Sequence, residues 1–475
     1  MNYNEVISYI EKRNLMGSVL GLDNIKALLK KLGNPERSVP AMHIAGTNGK
    51  GSIMAYVENV LIEAGLKVGR YISPTIFDYR ERWQICKEYI SKEDCAELLS
   101  KVIGTVEEME QSGEGRPTSF EIETAAAFLY FKEAGCDIML IECGMGGSQD
   151  ATNVFLKTPI DVIASISFDH MQFLGNTLEA ITSEKLGIVK DRDILVSYPQ
   201  SEIPEKVIDA FAADHKMTVD NTLTEDDALT EDYALTKDNA LTEADRSASD
   251  EKNYQRYRKT DRSSITTLES GIWGTEFIYK NENYHISMAG GAQVYNAATA
   301  IEALEAFNDI ADDYKLKKID KDTVRKGLAK TFWPGRFTVI GSEPLFIADG
   351  AHNEDAWCRL SEDINKYFTN RKIIFIIGVL KDKEYDRMLD ILTPFTKHAI
   401  TLTSNSPRAL DGRTLAGLIG ERNVAAEYSG SISDAIDRAL EIADQESDSV
   451  IIACGSLSFI GDIIRVKKDK DNAKG

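Results

Sequence analysis

Apolar residues along this chain recur in two rhythms. Between residues 1 and 37 they fall among charges at Ile7, Ile10, Leu22, Ile25, Leu28 and Leu29, a spacing that predicts an opening helical segment. From Val39 to Ala45 the pattern becomes a short continuous apolar run, extended in character. A glycine-rich turn follows, then a helical pattern from about Ser52 to Ala64 that stops at Gly65, then a second short run, Lys67 to Ile72, that stops at Ser73-Pro74. Strand, glycine loop, helix and strand in that order is the grammar of a mostly parallel α/β sheet.

The grammar recurs downstream. Thr124 to Glu133 reads as a helix, and Asp137 to Glu142 as a strand running into Gly144-Met145-Gly146-Gly147. Pro159 to Ile166 reads as another, running into Ser167-Phe168-Asp169-His170. Polar residues at the carboxyl ends of successive apolar strands are where open parallel sheets build their sites. Ile272 to Ile278 and Asn283 to Met288 read as paired strands, and Gln293 to Phe307 as a helix. The pattern breaks over Lys330-Thr331-Phe332-Trp333-Pro334-Gly335-Arg336-Phe337 and then resumes. Leu345 to Ala348 leads into Asp349-Gly350-Ala351-His352-Asn353, Ile373 to Ile377 into Gly378, and Val450 to Ala453 into Gly455-Ser456. The expectation is an α/β protein of two domains. A larger, mostly parallel-sheet domain would span 1–334 and a smaller α/β domain 335–475, a division that suits 475 residues better than one core does.

One stretch fits neither rhythm. Leu-Thr-Glu-Asp-Asp-Ala at 223–228 is echoed at 229–234 and 235–240, and a fourth copy begins at Leu241. A six-residue period matches neither helix nor strand and buries little. Residues 220–262 are therefore read as a solvated insertion in the first domain. Residues 223–246 hold eight acidic and two basic side chains, so a sizeable part of the formal net charge of -21 resides there.

That charge argues against a general nucleic-acid binder, which needs a basic footprint, and against attraction to an anionic membrane surface. Anionic small substrates stay open, because a site needs only local positive charge. The six cysteines are scattered with no CxxC pair, which suggests reduced thiols and no zinc knuckle. The amino terminus has no basic flank and no apolar signal core, and no apolar run reaches membrane-spanning length. A cytoplasmic protein is expected.

The candidate chemistry begins at Gly46-Thr47-Asn48-Gly49-Lys50-Gly51-Ser52. The segment is like a P-loop but departs from the common pattern, with Ile44 in place of a glycine and Gly51 inserted after the lysine. The physics is kept. Glycines let backbone N–H groups turn around phosphate oxygens, the following helix points its N-terminus at the same anion, and Lys50 adds a point charge. Strand before and helix after favour a P-loop ATPase domain over a plain glycine turn. Glu142 ends a strand ahead of glycines, as a hard oxygen ligand for Mg²⁺ or as a turn-stabilising glutamate. His170, as a bare histidine, is equally structural or functional. Lys185, from spacing alone, is a helix lysine facing solvent. Arg336, held in a Trp-Pro-Gly-Arg turn, suits either a transferring phosphoryl group or a salt bridge.

Taken in order, these segments resemble the Mur ligase family, and within it the folylpolyglutamate synthase branch. The resemblance rests on His43-Ile-Ala-Gly-Thr-Asn-Gly-Lys-Gly-Ser52, Gly65-Leu-Lys-Val-Gly69, Ser73-Pro74 and Pro117-Thr-Ser-Phe-Glu121. It continues through Glu142-Cys-Gly-Met-Gly-Gly147, Asp150-Ala-Thr-Asn153, Asp169-His170, Leu174-Gly175, Glu184-Lys185, Gln293 and Asn296-Ala297. Trp333-Pro-Gly-Arg336, Asp349-Gly-Ala-His-Asn353 and Gly455-Ser456 complete it. It spans nearly the whole chain apart from the acidic insertion.

The resemblance implies a monomeric ATP-dependent ligase with its site between the two domains. It would add L-glutamate to the γ-carboxylate of a folate or folylpolyglutamate through an acyl phosphate, releasing ADP and phosphate. Thr47, Asn48, Gly49, Lys50, Gly51 and Ser52 would form the triphosphate loop. Asn296, Arg336 and Asp349 would contact ATP, and His352 would shape the nucleotide or phosphate side. Ser73, Glu142 and His170 would hold Mg²⁺. Lys185 would be the lysine that family members carry as a carbamate (N6-carboxylysine), and Lys50, Lys185, His170 and Arg336 would form the catalytic set. Ser406 and Arg408 are candidates for the amino-acid pocket.

Three departures bear on substrate more than on reaction: Thr75 where the family often has His, Tyr79-Arg80-Glu81-Arg82-Trp83 as an approximate match, and Ala292 before Gln293. The alternatives are a bifunctional enzyme that also joins glutamate to dihydropteroate, another Mur-type ligase, and a nucleotide-binding module without catalysis. The last would leave Arg336 and Asp349 without purpose.

Overall fold

The computed structural model describes residues 1–14, 21–219, 256–445 and 448–473. Three sheets organise it. The first runs in the order β4-β3-β2-β5-β1-β6-β7-β9-β8. Its strands are β1 (Ala41–Ala45), β2 (Val68–Tyr71), β3 (Trp83–Ile85), β4 (Glu88–Tyr89), β5 (Ile138–Glu142), β6 (Ile160–Ile163), β7 (Ile194–Ser197), β8 (Thr218–Val219) and β9 (Arg256–Lys259). Pairing is parallel from β2 through to β8, and only β2-β3-β4 is antiparallel.

β1 sits at the centre, and every residue of β1, β2, β5, β6 and β7 is buried. These strands are mostly apolar because both faces are covered by helices, with His43, Arg70, Glu142, Asp161 and Ser197 the polar exceptions. Met42, Ile44, Ile138 and Leu140 face a core with the helices Lys50–Glu63 and Gly291–Ile310. Ala41, Met139 and Ile141 face the opposite core, with Tyr3–Asn14, Asp23–Lys31, Lys92–Ser112 and Ser119–Glu133. The period of two along each strand divides the residues between the two layers.

An antiparallel sheet of β10 (Ile265–Gly271), β11 (Gly274–Tyr279) and β12 (Glu282–Ile286) packs Phe277, Tyr279, Tyr284 and Ile286 into the first of these cores. The third sheet has the order β13-β14-β18-β15-β16-β17. Its strands are β13 (Thr338–Ser342), β14 (Leu345–Ala348), β15 (Lys372–Ile377), β16 (Thr396–Thr401), β17 (Ala425–Tyr428) and β18 (Ser449–Cys454). All its neighbours are parallel except β13 and β14, and it has its own cores on both faces. Among the described residues both cis peptide bonds precede prolines, at Ser73-Pro74 and Glu343-Pro344. Among the described residues no helix is long and apolar enough to cross a membrane.

Three expectations need correction. The helix expected from Thr124 begins at Ser119, because Thr118 and Glu121 form a capping box. Thr118 Oγ1 accepts from the Glu121 N–H and Glu121 accepts from the Thr118 N–H, a device worth about 0.5–2 kcal/mol. The insertion expected at 220–262 ends sooner: Arg256–Lys259 form β9, parallel to β7, and the hexapeptide repeats lie outside the described residues. The strand expected at Ile272–Ile278 is in fact the second of three, with Ile272 and Trp273 in the turn after β10.

One polar feature lies inside the first sheet. Asp161 on β6 and Asp193 before β7 are both fully buried, and neither oxygen of Asp161 accepts from an N–H or hydroxyl. Asp193 Oδ2 accepts from the Lys190 N–H at 3.0 Å. Burial, then the facing Asp193 carboxyl, pushes Asp161 well above the usual carboxylate range; burial pushes Asp193 up to about 7. Two facing buried carboxyls are most stable with a single proton between them. An acid that titrates higher in the folded state keeps a proton that the unfolded chain has released. Its contribution to stability is full below the unfolded value and is lost as pH rises through the folded one, a window of about pH 4–7. Asp161→Asn gives Asp193 an amide to accept from, so that Asp193 ionises without a shared proton. Thermal melts should show the variant gaining on the parent between about pH 5 and pH 8; a difference that stays constant with pH excludes the shared proton.

Candidate active site at the domain boundary

The central strand β1 ends at Ala45, and the chain turns through Gly46 (φ 151°) and Gly49 (φ 89°) into the helix that opens at Lys50. Both glycines are required. A Cβ at Gly46 would meet the Ala164 Cβ at 2.6 Å, and one at Gly49 the Asn296 Oδ1 at 2.6 Å. The loop is pinned from several sides. The backbone N–H groups of Thr47 and Asn48 donate to the Ser165 carbonyl at 2.8 and 3.2 Å, and Thr47 Oγ1 donates to the Ser167 carbonyl at 3.0 Å. Lys50 Nζ donates back to the Gly46 carbonyl at 3.2 Å, and Lys185 Nζ donates to the same oxygen at 3.0 Å.

Lys185 is the largest correction to reading by spacing. It lies in the helix Leu178–Leu186 but is only 4% exposed. Burial and then the Lys50 ammonium bring its pKa down to about 8, so about a tenth of the amine is neutral at pH 7. Glu142 ends β5, is 8% exposed and stands 3.8 Å from Lys50. Burial raises its pKa and Lys50 opposes the rise. Its Oε2 also accepts from the Ser73 N–H at 3.4 Å.

Beyond β6, His170 lies in the left-handed region (φ 50°) and its side chain is partly exposed. Burial outweighs the neighbouring Asp169 carboxylate and lowers its pKa, leaving a neutral imidazole. Burial alone would raise Asp169. The Lys383 ammonium at 2.5 Å, with His170 beside it, more than offsets burial and holds the carboxyl well below its usual range.

The third sheet supplies the facing wall. Arg336 lies in a turn closed by the Gly335 and Arg336 N–H groups donating to Thr338 Oγ1 at 3.0 and 3.3 Å. Asp349, at the end of β14, accepts from the Phe337 and Ala351 N–H groups at 2.7 and 2.8 Å, so it ties that turn to the sheet. Burial raises its pKa against the pull of Arg336. His352 Nδ1 donates to the Gly350 carbonyl at 2.8 Å. Burial and then Lys383 lower its pKa to about 4, so Nε2 is a free-standing acceptor.

A cleft of about 570 Å³ joins these groups. Thr47, Asn48, Gly49, Lys50, Gly51, Ser52, Ser73, Glu142, His170, Lys185, Asn296, Arg336, Asp349 and His352 all line it. Arg408 also lines it and pairs with Asp382 at 2.9 Å. Ser406 does not line it; its hydroxyl accepts from the Arg408 N–H instead. The Asn48 side chain is turned to the second domain, donating to Asp355 at 2.8 Å and Asn353 at 3.2 Å. Thr75 and Ala292, two of the departures, line the cleft as well. Spacing alone did not reveal Arg70, Arg359 or Lys383. Lys383 had one available signal, its place just past the carboxyl end of β15.

Residues 44–304 match the Mur ligase middle domain and residues 335–457 the Mur ligase glutamate ligase domain. The chain belongs to the Mur ligase family. It is 34% identical to a Bacillus subtilis dihydrofolate synthase/folylpolyglutamate synthase, over 97% of this chain and 98% of that one. It is 30% identical to the folylpolyglutamate synthase of Lacticaseibacillus casei, over 96% of each. The structure of Mycobacterium tuberculosis folylpolyglutamate synthase complexed with ADP superposes with a TM-score of 0.80 at 26% identity, covering 98% of both chains. In this member of the family the loop glycines have a separable role. Gly49→Ala, with φ at 89° and Asn296 in the way, should lower folding stability by about 1–3 kcal/mol. Gly104→Ala, in the helix Lys92–Ser112 with nothing within 4 Å of the added methyl, should raise it by up to about 1 kcal/mol. Urea unfolding of the pair measures both. Equal effects would mean that the loop does not hold Gly49 in the left-handed region against Asn296.

Proposed function

We propose that this protein is an ATP-dependent ligase that joins L-glutamate to the γ-carboxylate of a folate or folylpolyglutamate, forming ADP and phosphate. The observation that carries the reading is the convergence of one phosphate-type loop, two buried cleft residues (Glu142 and Lys185) and a second-domain arginine on a single cleft. Relatives named for this activity match along nearly the full chain. L-Glutamate as the incoming amine, a monomeric state and a cytoplasmic location belong to the same proposal.

The roles follow from charge and position. Lys50, Ser52 and the loop N–H groups bind the terminal phosphates, and Asn296, Asp349 and His352 bound the nucleotide side of the cleft. The folate carboxylate oxygen attacks the γ-phosphorus, and the bond from that phosphorus to the ADP oxygen breaks. Arg336 offsets the charge on the moving phosphoryl group. The neutral glutamate amine then attacks the acyl carbon, phosphate leaves, and the amine nitrogen loses a proton as the amide forms.

Glu142, Ser73 and His170 fit a Mg²⁺ site by donor chemistry: a buried carboxylate whose ionised form needs a counter-charge, a hydroxyl and a neutral imidazole. When bound, the ion would offset negative charge on the terminal phosphates.

Lys185 fits carbamylation. Its partly neutral amine can attack CO₂, forming an N–C bond and releasing a proton, and the product is an anion beside the Lys50 ammonium. Activity should therefore fall in CO₂-depleted buffer and return with bicarbonate, with a trapped CO₂ adduct on Lys185 by peptide mass. Full activity without bicarbonate, on unmodified Lys185, refutes this.

The bifunctional reading has its own support, since the Bacillus subtilis relative carries both activities in its name. A panel with ATP, Mg²⁺ and labelled glutamate separates the two. Tetrahydrofolate and its monoglutamylated extension should both be lengthened, and product from dihydropteroate would add the second activity. Lys50→Ala should abolish every product. ATP turnover that ignores glutamate would exclude a ligase of either kind.

A further inference from the structure

The helix Glu354–Tyr367 belongs to the second domain, yet one of its faces meets the first domain at three points spaced four residues apart. Asp355 Oδ2 accepts from Asn48 Nδ2 at 2.8 Å. Arg359 Nη2 donates to Ser165 Oγ at 2.6 Å, and its guanidinium lies over the Tyr198 ring. Asp363 Oδ1 accepts from the Gly291 N–H at 2.8 Å, at the start of the helix Gly291–Ile310. The first two points are joined, because Arg359 Nε also pairs with Asp355 Oδ2 at 3.0 Å. Residues i, i+4 and i+8 share a helix face.

What the first two hold is the phosphate loop. Asn48 stands between the two hinge glycines, Gly46 and Gly49, and Ser165 supplies the carbonyl that fixes the Thr47 and Asn48 N–H groups. A loop with glycine at both ends has no stiffness of its own and takes the shape its anchors give it. One anchor, the Asn48 side chain, is gripped from across the domain boundary, and so is the hydroxyl of Ser165, the residue whose carbonyl is another.

We infer that Asp355 and Arg359 are positioning residues through which docking of the second domain sets the shape, and so the nucleotide affinity, of the loop 46–52. Neither residue needs to touch the nucleotide. The inference rests on the proposed role of that loop. By linkage, nucleotide binding strengthens the docking by the same factor that docking strengthens nucleotide binding.

The test is ADP affinity of the full chain by titration calorimetry. Asp355→Ala and Arg359→Ala should each weaken ADP binding about tenfold. The double variant should be little weaker than either single one, because the two act as a unit. Asp355→Asn keeps an oxygen for Asn48 and should recover most of the loss, which a general loss of stability would not explain. Ser165→Ala reaches the same contact from the other domain and should reproduce the Arg359→Ala defect, including where Arg359→Ala folds poorly. Parental affinity in the alanine variants, or losses that add in full, overturn the inference. A parent that binds no ADP overturns the loop assignment and the inference with it, an outcome separate from a parent that binds while its variants are unchanged.

Discussion

Two ammonium groups donate to one carbonyl oxygen, that of Gly46, and the rest of the site is arranged around that crowding. Lys50 reaches it from the helix that follows the loop and Lys185 from a helix more than a hundred residues downstream. Two like charges in a buried place are unfavourable, and the structure relieves this in two ways. Glu142 stands 3.8 Å from Lys50 as a counter-charge, and Lys185 gives up part of its own charge, with a pKa near 8. The same pairing draws the ends of β1 and β5 together with the helix Leu178–Leu186. The geometry of three segments therefore depends on a local concentration of positive charge suited to polyanions.

That concentration stands out against the whole chain. The protein carries a formal charge of -21, yet the cleft is lined by seven lysine and arginine side chains against five carboxylates. Overall acidity therefore says little about the substrate, and local field says much. Several cations come from the third sheet and its loops, Arg336, Lys383 and Arg408 among them, and Lys383 is taken up by Asp169 across the boundary. The positive field is a property of the docked pair of domains, which is why Arg336 is held so firmly in its turn by Thr338 and Asp349.

Much of this was legible in the residues because the signals were local. β14 has the bounds that its apolar run implied, and the helix after the glycine loop differs by two residues at its start. A buried parallel strand announces itself as an unbroken apolar run, and a loop glycine by its neighbours. Lys185 was not legible from spacing, because the Gly46 carbonyl it meets is distant in sequence; only family resemblance selected it. Asn48 was legible as a loop residue but not as an interdomain donor, since Asp355 and Asn353 are some three hundred residues away. β17 left little trace because its four residues are half-exposed at a sheet edge and carry no clear alternation. The start at Ser119 does have a local signal, because threonine followed three residues later by glutamate is a capping signature, but the apolar pattern that follows it is the stronger one and points further downstream.

The inserted Gly51 looks at first like a defect in the phosphate-loop pattern, and its neighbours explain it. A Cβ there would lie 3.0–3.1 Å from the Trp333 indole, closer than side chains normally approach. The glycine lets that indole rest on the first turn of the helix. The Arg70 guanidinium lies over the same ring, 4.8 Å from its centre, and is itself held by Glu58 and Gln84. Trp333 is thus fixed between the phosphate loop and β2, and three residues later the same turn presents Arg336. A larger residue at 51 would displace the tryptophan and, with it, the reference point for the arginine. The glycine that breaks the common pattern is what lets Trp333, three residues before Arg336, pack against the helix that opens at Lys50.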